Sequence, residues 1–270
     1  MANAKREGEI KRTVKKRNKR RRRRLLAFFL GLFFCLLCVA AVLSVTILFP
    51  IKNIAVDGES VYSKEEIISA SGVTLDDNFF LLSKNKITSA ISEGLPKSGD
   101  IKVKKVFPDT VKITVNTAVP TYFLLIDDVY CVTDQYYKVI EQVTEPPENC
   151  IQIKVKDLKA VSPGKTVVFT QEDSDMLNSI FKLCNDKQIA ISGVDISDAV
   201  KLKVVLNGRL LVQLGGAIDL EYKIAHLAAM LPKMEEDAQG TINLSVWTSS
   251  NTKASFRDEK INSFEFSTQK

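Results

Sequence analysis

The sequence predicts a single-pass membrane protein of the α+β class, and two observations carry that prediction. Residues 25–49 contain no charged side chain and are nearly all apolar. As a helix this segment would extend about 37 Å against a hydrocarbon core of about 30 Å, so it predicts one N-terminal transmembrane helix. Beyond it, helix-period and strand-period segments both occur, and helices packed on one apolar face of a sheet give an α+β fold.

The 24 residues before the apolar segment are strongly basic. They hold 13 Lys or Arg against Glu7 and Glu9, a charge of +11, whereas the whole chain is +6. Basic residues at one end of a span keep that end in the cytoplasm, so we predict a cytoplasmic tail over residues 1–24 and an extracellular C-terminal part. Nucleic-acid binding and a cleaved signal peptide are the alternative interpretations. The adjoining span disfavours the first, and the apolar run beyond Ala41 disfavours the second.

Residues 50–118 predict a small domain with the order strand, helix, helix, strand, strand. Ser63 and Glu66 have the spacing of a capping box that opens the first helix, and Gly72 ends it. A second helix is predicted over Ser83–Glu93. Apolar and polar residues alternate in the last two strands, so the sheet has one dry face for the helices. The strands are predicted around Ile54 and Val56, over Ile101–Val106, and over Val111–Val115.

Residues 119–257 predict a strand-rich α+β domain. Asn207-Gly208, between Leu202–Leu206 and Leu210–Leu214, is the strongest hairpin signal, because both turn residues tolerate positive φ. Asp157–Lys165 is predicted to be a loop, and residues 258–270 a flexible C-terminal tail. Further predicted elements are strands Thr121–Ile126 and Val129–Ile140 about Asp127-Asp128, a helix from Thr170 carrying Leu177, Ile180, Phe181 and Cys184, a helix capped by Asp219, and strands Thr241–Trp247 and Thr252–Arg257.

The residues offer no set for catalysis. His226 is the single histidine, and the sequence places no serine, cysteine or acidic partner beside it. Five Ser-x-x-Lys pairs occur, but the Lys-Thr-Gly of penicillin-binding enzymes is absent. We therefore predict no enzyme activity, no cofactor, no metal and no small-molecule substrate.

Three cysteines lie beyond the apolar segment, namely Cys131, Cys150 and Cys184. Cys184 falls on the apolar face of a predicted helix, as a buried free thiol would. Cys131 and Cys150 lie in or beside apolar strands on the oxidising side of the membrane, so a disulfide between them is one hypothesis. Loop closure would make such a bond worth about 3 kcal/mol.

Several short motifs, taken in order, resemble one known family. They are Ile54-x-Val56-x-Gly58, Phe107-Pro108-Asp109-Thr110, Pro120, Val212-x-Leu214-Gly215 with Lys223, and Gly240-x-Ile242-Asn243-Leu244. With the basic tail and the single span, they resemble the FtsQ/DivIB family of bacterial division proteins, in which a POTRA domain precedes a β-domain. Asn116-Thr117 and Asn243 depart from the family pattern.

The resemblance implies a non-enzymatic scaffold of the divisome at the septal plasma membrane. Implied partners are FtsL and DivIC or FtsB-type proteins and, through them, the septal transpeptidase and polymerase. An exposed strand edge can accept a partner strand, so we predict partner binding at the C-terminal strand pair. A POTRA-bearing secretion or assembly component and a membrane-anchored cell-wall enzyme are the alternatives. The predicted partner-binding residues are Lys253, Ala254, Ser255, Phe256 and Trp247.

Overall fold

The structure is a computed structural model that describes Leu26 and residues 28–40, 49–246, 254–263 and 265–268. Residues 28–40 form helix α1. The predicted basic tail and much of the predicted span, including residues 41–48, lie outside the described residues. No helix within the described ranges is long and apolar enough to cross a membrane.

The chain divides into two compact units. Unit 1 contains the described residues up to Ala55, with Val73–Lys84 and Lys104–Lys112. Unit 2 contains Val56–Gly72, Asn85–Val103 and the described residues from Ile113 onward.

The N-terminal elements follow the predicted order of strand, helix, helix, strand, strand. Their three strands form one sheet in the order β1-β3-β2. The Ser63 hydroxyl accepts a hydrogen bond from the Glu66 amide, and the Glu66 carboxylate accepts one from the Ser63 amide, so the predicted capping box is confirmed. Gly72 ends the first helix with φ 64°, also as predicted. The elements are β1 (Asn53–Asp57), α2 (Lys64–Ser71), α3 (Lys84–Gly94), β2 (Ser98–Val106) and β3 (Thr110–Thr117).

The strand-rich part forms a nine-stranded mixed sheet in the order β12-β11-β10-β9-β8-β7-β4-β5-β6. Pairs β4·β7, β7·β8 and β10·β11 are parallel, and the remaining neighbours are antiparallel. The strands are β4 (Tyr122–Ile126), β5 (Val129–Thr133), β6 (Val139–Val143), β7 (Ile151–Lys154), β8 (Ile191–Asp195), β9 (Leu202–Leu206), β10 (Leu210–Gly215), β11 (Gly240–Asn243) and β12 (Ser255–Asp258).

One face of this sheet is covered by two helices, α4 (Gln171–Asp186) and α5 (Leu220–Met230), the latter followed by a 3-10 turn over Leu231–Lys233. Leu202, Val204 and Leu206 of β9 join the core beneath the helices, whereas Val205 points to the other face. The predicted strand Leu202–Leu206 and its Asn207-Gly208 turn, both turn residues at positive φ, are confirmed.

Several predictions for this region were wrong or incomplete, among them the strand Thr241–Trp247, which ends at Asn243. The segment predicted as a single strand to Ile140 is interrupted after Thr133, and β6 begins only at Val139. Asp219 has φ 56° and makes no side-chain capping hydrogen bond, so it does not cap α5 as predicted. Strands β7 and β8 were not predicted, because they are only four and five residues long and β8 contains Gly193.

The predicted flexible tail over residues 258–270 is contradicted where the structure describes it. Ile261–Asn262 (β13) pairs antiparallel with Ser267–Thr268 (β14). Ile261 and Phe266 are 5% and 0% exposed and pack with Val205 and Leu211 on the sheet face opposite the helices. The apolar residues Ile261, Phe264 and Phe266 are spaced three and then two apart, too short a run to establish a helix or strand period, so the sequence did not reveal this hairpin.

The hypothesised disulfide between Cys131 and Cys150 is also contradicted. Both thiols are free, Cys131 being buried in β5 and Cys150 immediately preceding β7. Strand β4 lies between β5 and β7 in the sheet. Two strand spacings, about 9–10 Å, exceed the Cα separation of about 7 Å that a disulfide spans. Cys184 is buried and free, as predicted, and burial raises the pKa of its thiol to about 11.

Candidate partner-binding edge

Strand β12 is the last strand of the nine-stranded sheet, and all four of its residues are exposed. It pairs antiparallel with β11, with Ser255 opposite Asn243 and Asp258 opposite Gly240. In the part of the chain that the structure describes, no strand pairs with its other side. An unpaired edge of this kind presents backbone donors and acceptors to an extended peptide.

The hydrogen bonds of β11 show which backbone groups of β12 face outward. The amides of Gly240 and Leu244 donate toward β10, to the carbonyls of Arg209 (3.1 Å) and Gln213 (2.8 Å). Backbone groups alternate sides along a strand, so Thr241 and Asn243 of β11 direct theirs toward β12.

The register then places the backbone groups of Ser255 and Arg257, the residues opposite Asn243 and Thr241, toward β11. The amides and carbonyls of Phe256 and Asp258 therefore point away from the sheet. These are the groups that a partner strand would meet.

Gly240 allows β12 to approach β11 closely. A Cβ at this position would lie 2.1 Å from the carbonyl oxygen of Arg257 and 3.1 Å from Cε2 of the Phe256 ring. Because any side chain there would collide with the backbone of β12, only glycine fits without displacing the edge strand. The ring of Phe256 lies beside the space that the missing side chain leaves.

The predicted partner-binding residues are only partly described. Trp247 and Lys253 lie outside the described residues. Ala254 is half-buried against the core under the helices, while Ser255 and Phe256 are exposed, Phe256 at 43%. Arg257, Asp258 and Gly240 were not among the residues predicted for the site. The glycine that precedes the apolar residues of β11 was the available signal for a close backbone approach.

A buried lysine supports the sheet beside this edge. Strand β10, helix α5 and strand β11 form a parallel crossover, and Lys223 on α5 is 2% exposed. Its Nζ donates to the carbonyls of Leu214 (2.7 Å) and Gly216 (2.8 Å). Burial lowers the pKa of this ammonium, and the nearby carboxylate of Asp219 opposes that shift. Lys223 thus ties α5 to the end of β10.

His226 lies half-buried on α5, where burial and then the charge of Lys233 lower the pKa of its imidazole. Within the described ranges, no three His, Cys, Asp or Glu side chains are grouped to hold a metal ion. The arrangement can form main-chain hydrogen bonds to an added strand.

Comparison with known proteins agrees with this architecture. Residues 49–116 match the family model described as POTRA domain, FtsQ-type. A cell division protein DivIB of Clostridium acetobutylicum is 26% identical over 166 residues, which cover 61% of this chain and 66%, just under two thirds, of the relative. The DivIB of Clostridium tetani is 24% identical over 210 residues, covering 73% of this chain and 76% of the relative.

The fold therefore defines a mixed α+β protein with a POTRA domain and a strand-rich domain. Its POTRA domain is of the FtsQ type, and the chain is similar to the DivIB cell-division proteins of two Clostridium species.

Proposed function

We propose that this protein is a non-enzymatic, membrane-anchored scaffold of the bacterial divisome that recruits its partner through the open edge of β12. The observation that carries the proposal is the exposed terminal strand, whose Phe256 and Asp258 backbone groups face away from the sheet. A partner segment in extended conformation adds beside β12 as a tenth strand. Main-chain hydrogen bonds supply the affinity, and side chains along the edge supply the choice of partner.

The partners are FtsL and a DivIC or FtsB-type protein, and through them the septal transpeptidase and polymerase. The relatives are named as cell division proteins, which supports this assignment. The protein lies at the septal plasma membrane with its N-terminus in the cytoplasm, supported by the uncharged segment over residues 25–49 and its +11 flank. The POTRA domain extends over residues 50–118 and the β-domain over residues 119–257.

The edge is tested by a matched pair of variants at one position. Phe256→Pro removes an outward amide and the ring, whereas Phe256→Ala removes the ring alone. The test is capture of the purified FtsL and DivIC pair by the full chain in detergent micelles, with thermal unfolding measured in parallel. We expect Phe256→Pro to abolish capture while Phe256→Ala retains most of it, both with nearly unchanged melting temperatures.

Ser255→Pro provides the opposite control, because the Ser255 amide faces β11 rather than the partner. This variant is expected to loosen β12 itself, seen as faster exchange of the Arg257 amide, which faces β11. If Phe256→Pro remains folded and captures the pair as well as Phe256→Ala does, the partner does not bind as a strand beside β12.

The topology is tested separately with protease added to intact protoplasts. Cleavage of everything beyond about Ile51, with the basic tail protected, is the expected result. Protection of the C-terminal part would refute the proposed orientation.

A further inference from the structure

Four phenylalanine rings form an aromatic cluster within unit 1. The ring of Phe49 lies 5.1 Å from Phe80 and 6.0 Å from Phe107, centroid to centroid. Phe79 lies 5.4 Å from Phe80 and 6.4 Å from Phe107. Phe79 is buried at 5% exposure, so it is the base of the cluster.

The outer members of the cluster are exposed. Phe80 is 49% and Phe107 66% exposed, and their chain neighbours Leu81 and Val106 are 74% and 48% exposed. A single exposed apolar residue needs no explanation, but a contiguous group of large ones marks a surface that binds something. We call Phe80 and Phe107 the apolar rim, because both rings contact Phe49 and Phe79.

The apolar rim is fixed to the end of the uncharged segment. Phe49 is the last residue of that segment, and its ring contacts two members of the aromatic cluster. Its carbonyl accepts a hydrogen bond from the amide of Phe79 at 2.9 Å, and the amide of Ile51 donates one to the backbone carbonyl of Asp77, also at 2.9 Å. If residues 25–49 span the membrane, the rim is held at the membrane surface, because it touches the residue where the span ends.

Lys105 lies beside the rim. The Nζ of Lys105 lies 5.7 Å from the Phe79 ring centroid and donates to the carbonyl of Phe80 at 3.2 Å. Burial, and then the charge of Lys84, lower the pKa of Lys105. Aromatic rings flanked by ammonium groups are the composition that membrane interfaces favour, with rings at the headgroup level and cations beside anionic lipid.

We infer that the apolar rim docks onto the outer surface of the lipid bilayer, with Phe80 and Phe107 entering the interface between headgroups and acyl chains. The inference rests on the proposed membrane anchor and goes beyond it, since it gives unit 1 a second contact with the membrane next to the span.

The test uses the full chain in liposomes that contain anionic lipid brominated at the headgroup end of the acyl chains. Bromine quenches tryptophan on contact, so Phe80→Trp and Phe107→Trp are made as separate reporters. The unmodified chain, with Trp247 alone, supplies the baseline. Val168→Trp, at a position 83% exposed in unit 2, is the matched surface control. Flotation of the liposomes reports whether each chain is anchored.

Brominated lipid is expected to reduce the fluorescence added at positions 80 and 107 while that added at 168 is retained. If the chain is anchored but the reporters at 80 and 107 are quenched no more than the one at 168, the inference is overturned while the proposed anchor stands. In that case a protein partner rather than lipid covers the rim. A chain that fails to float with the liposomes refutes the proposed anchor and the docking together.

Discussion

Replacement of Lys223 by methionine should destabilise the sheet that carries the candidate edge. Two hydrogen bonds, at 2.7 and 2.8 Å, join its ammonium to the carbonyls of Leu214 and Gly216. Hydrogen bonds from a charged donor are worth about 1.5–3 kcal/mol each. Lys223→Met keeps the apolar stem and removes both bonds, so the Leu214 carbonyl, in a fully buried residue, loses this donor.

The desolvation cost of burying the ammonium is recovered in the variant, which offsets part of the loss. We therefore expect the free energy of unfolding to fall by about 2–4 kcal/mol, with a melting temperature lower by about 5–15 °C for a domain of this size. Thermal and urea unfolding followed by circular dichroism measure this.

Lys201→Met is the matched control, because Lys201 is exposed and its 3.3 Å ion pair with Asp198 lies at the surface. Its removal should change stability by less than about 0.5 kcal/mol. Equal effects of Lys223→Met and Lys201→Met would show that the buried lysine does not tie α5 to β10.

Three further predictions concern stability and the edge. Burial raises the pKa of Cys184 from 9.0 to about 11, so the contribution of the protonated thiol to the free energy of unfolding is full below pH 9.0 and is lost as pH rises through about 11. In Cys184→Ala this decline, at most about 2.7 kcal/mol, should disappear. A variant whose free energy of unfolding falls as steeply with pH as that of the unmodified chain contradicts this prediction. Gly240→Ala places a methyl 2.1 Å from the Arg257 carbonyl and should accelerate amide exchange in β12 and weaken partner capture; unaltered exchange would show that the edge adapts. Phe266→Ala should cost about 3–5 kcal/mol in docking the C-terminal hairpin, seen as loss of amide protection in β13, and retained protection would argue against the packing described.

Local chemistry made several elements predictable from the sequence. The capping box of Ser63 and Glu66, the stop at Gly72 and the turn at Asn207-Gly208 depend on residues within a few positions of one another. The apolar stripe that predicted α4 is buried at Leu177, Ile180 and Cys184. Each of these signals depends on residues close together in the chain, and the structure confirms the elements that they predicted.

The candidate edge was predictable only in part. The terminal position and alternation of Ser255 and Phe256 indicated a strand, but which amides face outward depends on the hydrogen bonds that β11 makes to β10. Gly240 matters because the Arg257 carbonyl, 17 positions along the chain, lies where a side chain would be. Neither feature produces a recognisable pattern among neighbouring residues of the sequence.

Residue patterns were enough to predict the apolar segment with its charged flank, the order of the N-terminal elements, and the helices and hairpins whose periodicity is strong. Three features became visible only in the folded chain: β7 and β8 join the two halves of the large sheet, β4 separates Cys131 from Cys150, and Phe266 packs in the space left by Gly193. The physical reason is that short strands and single buried side chains are stabilised by partners distant in the chain, so their positions depend on the complete sheet rather than on neighbouring residues.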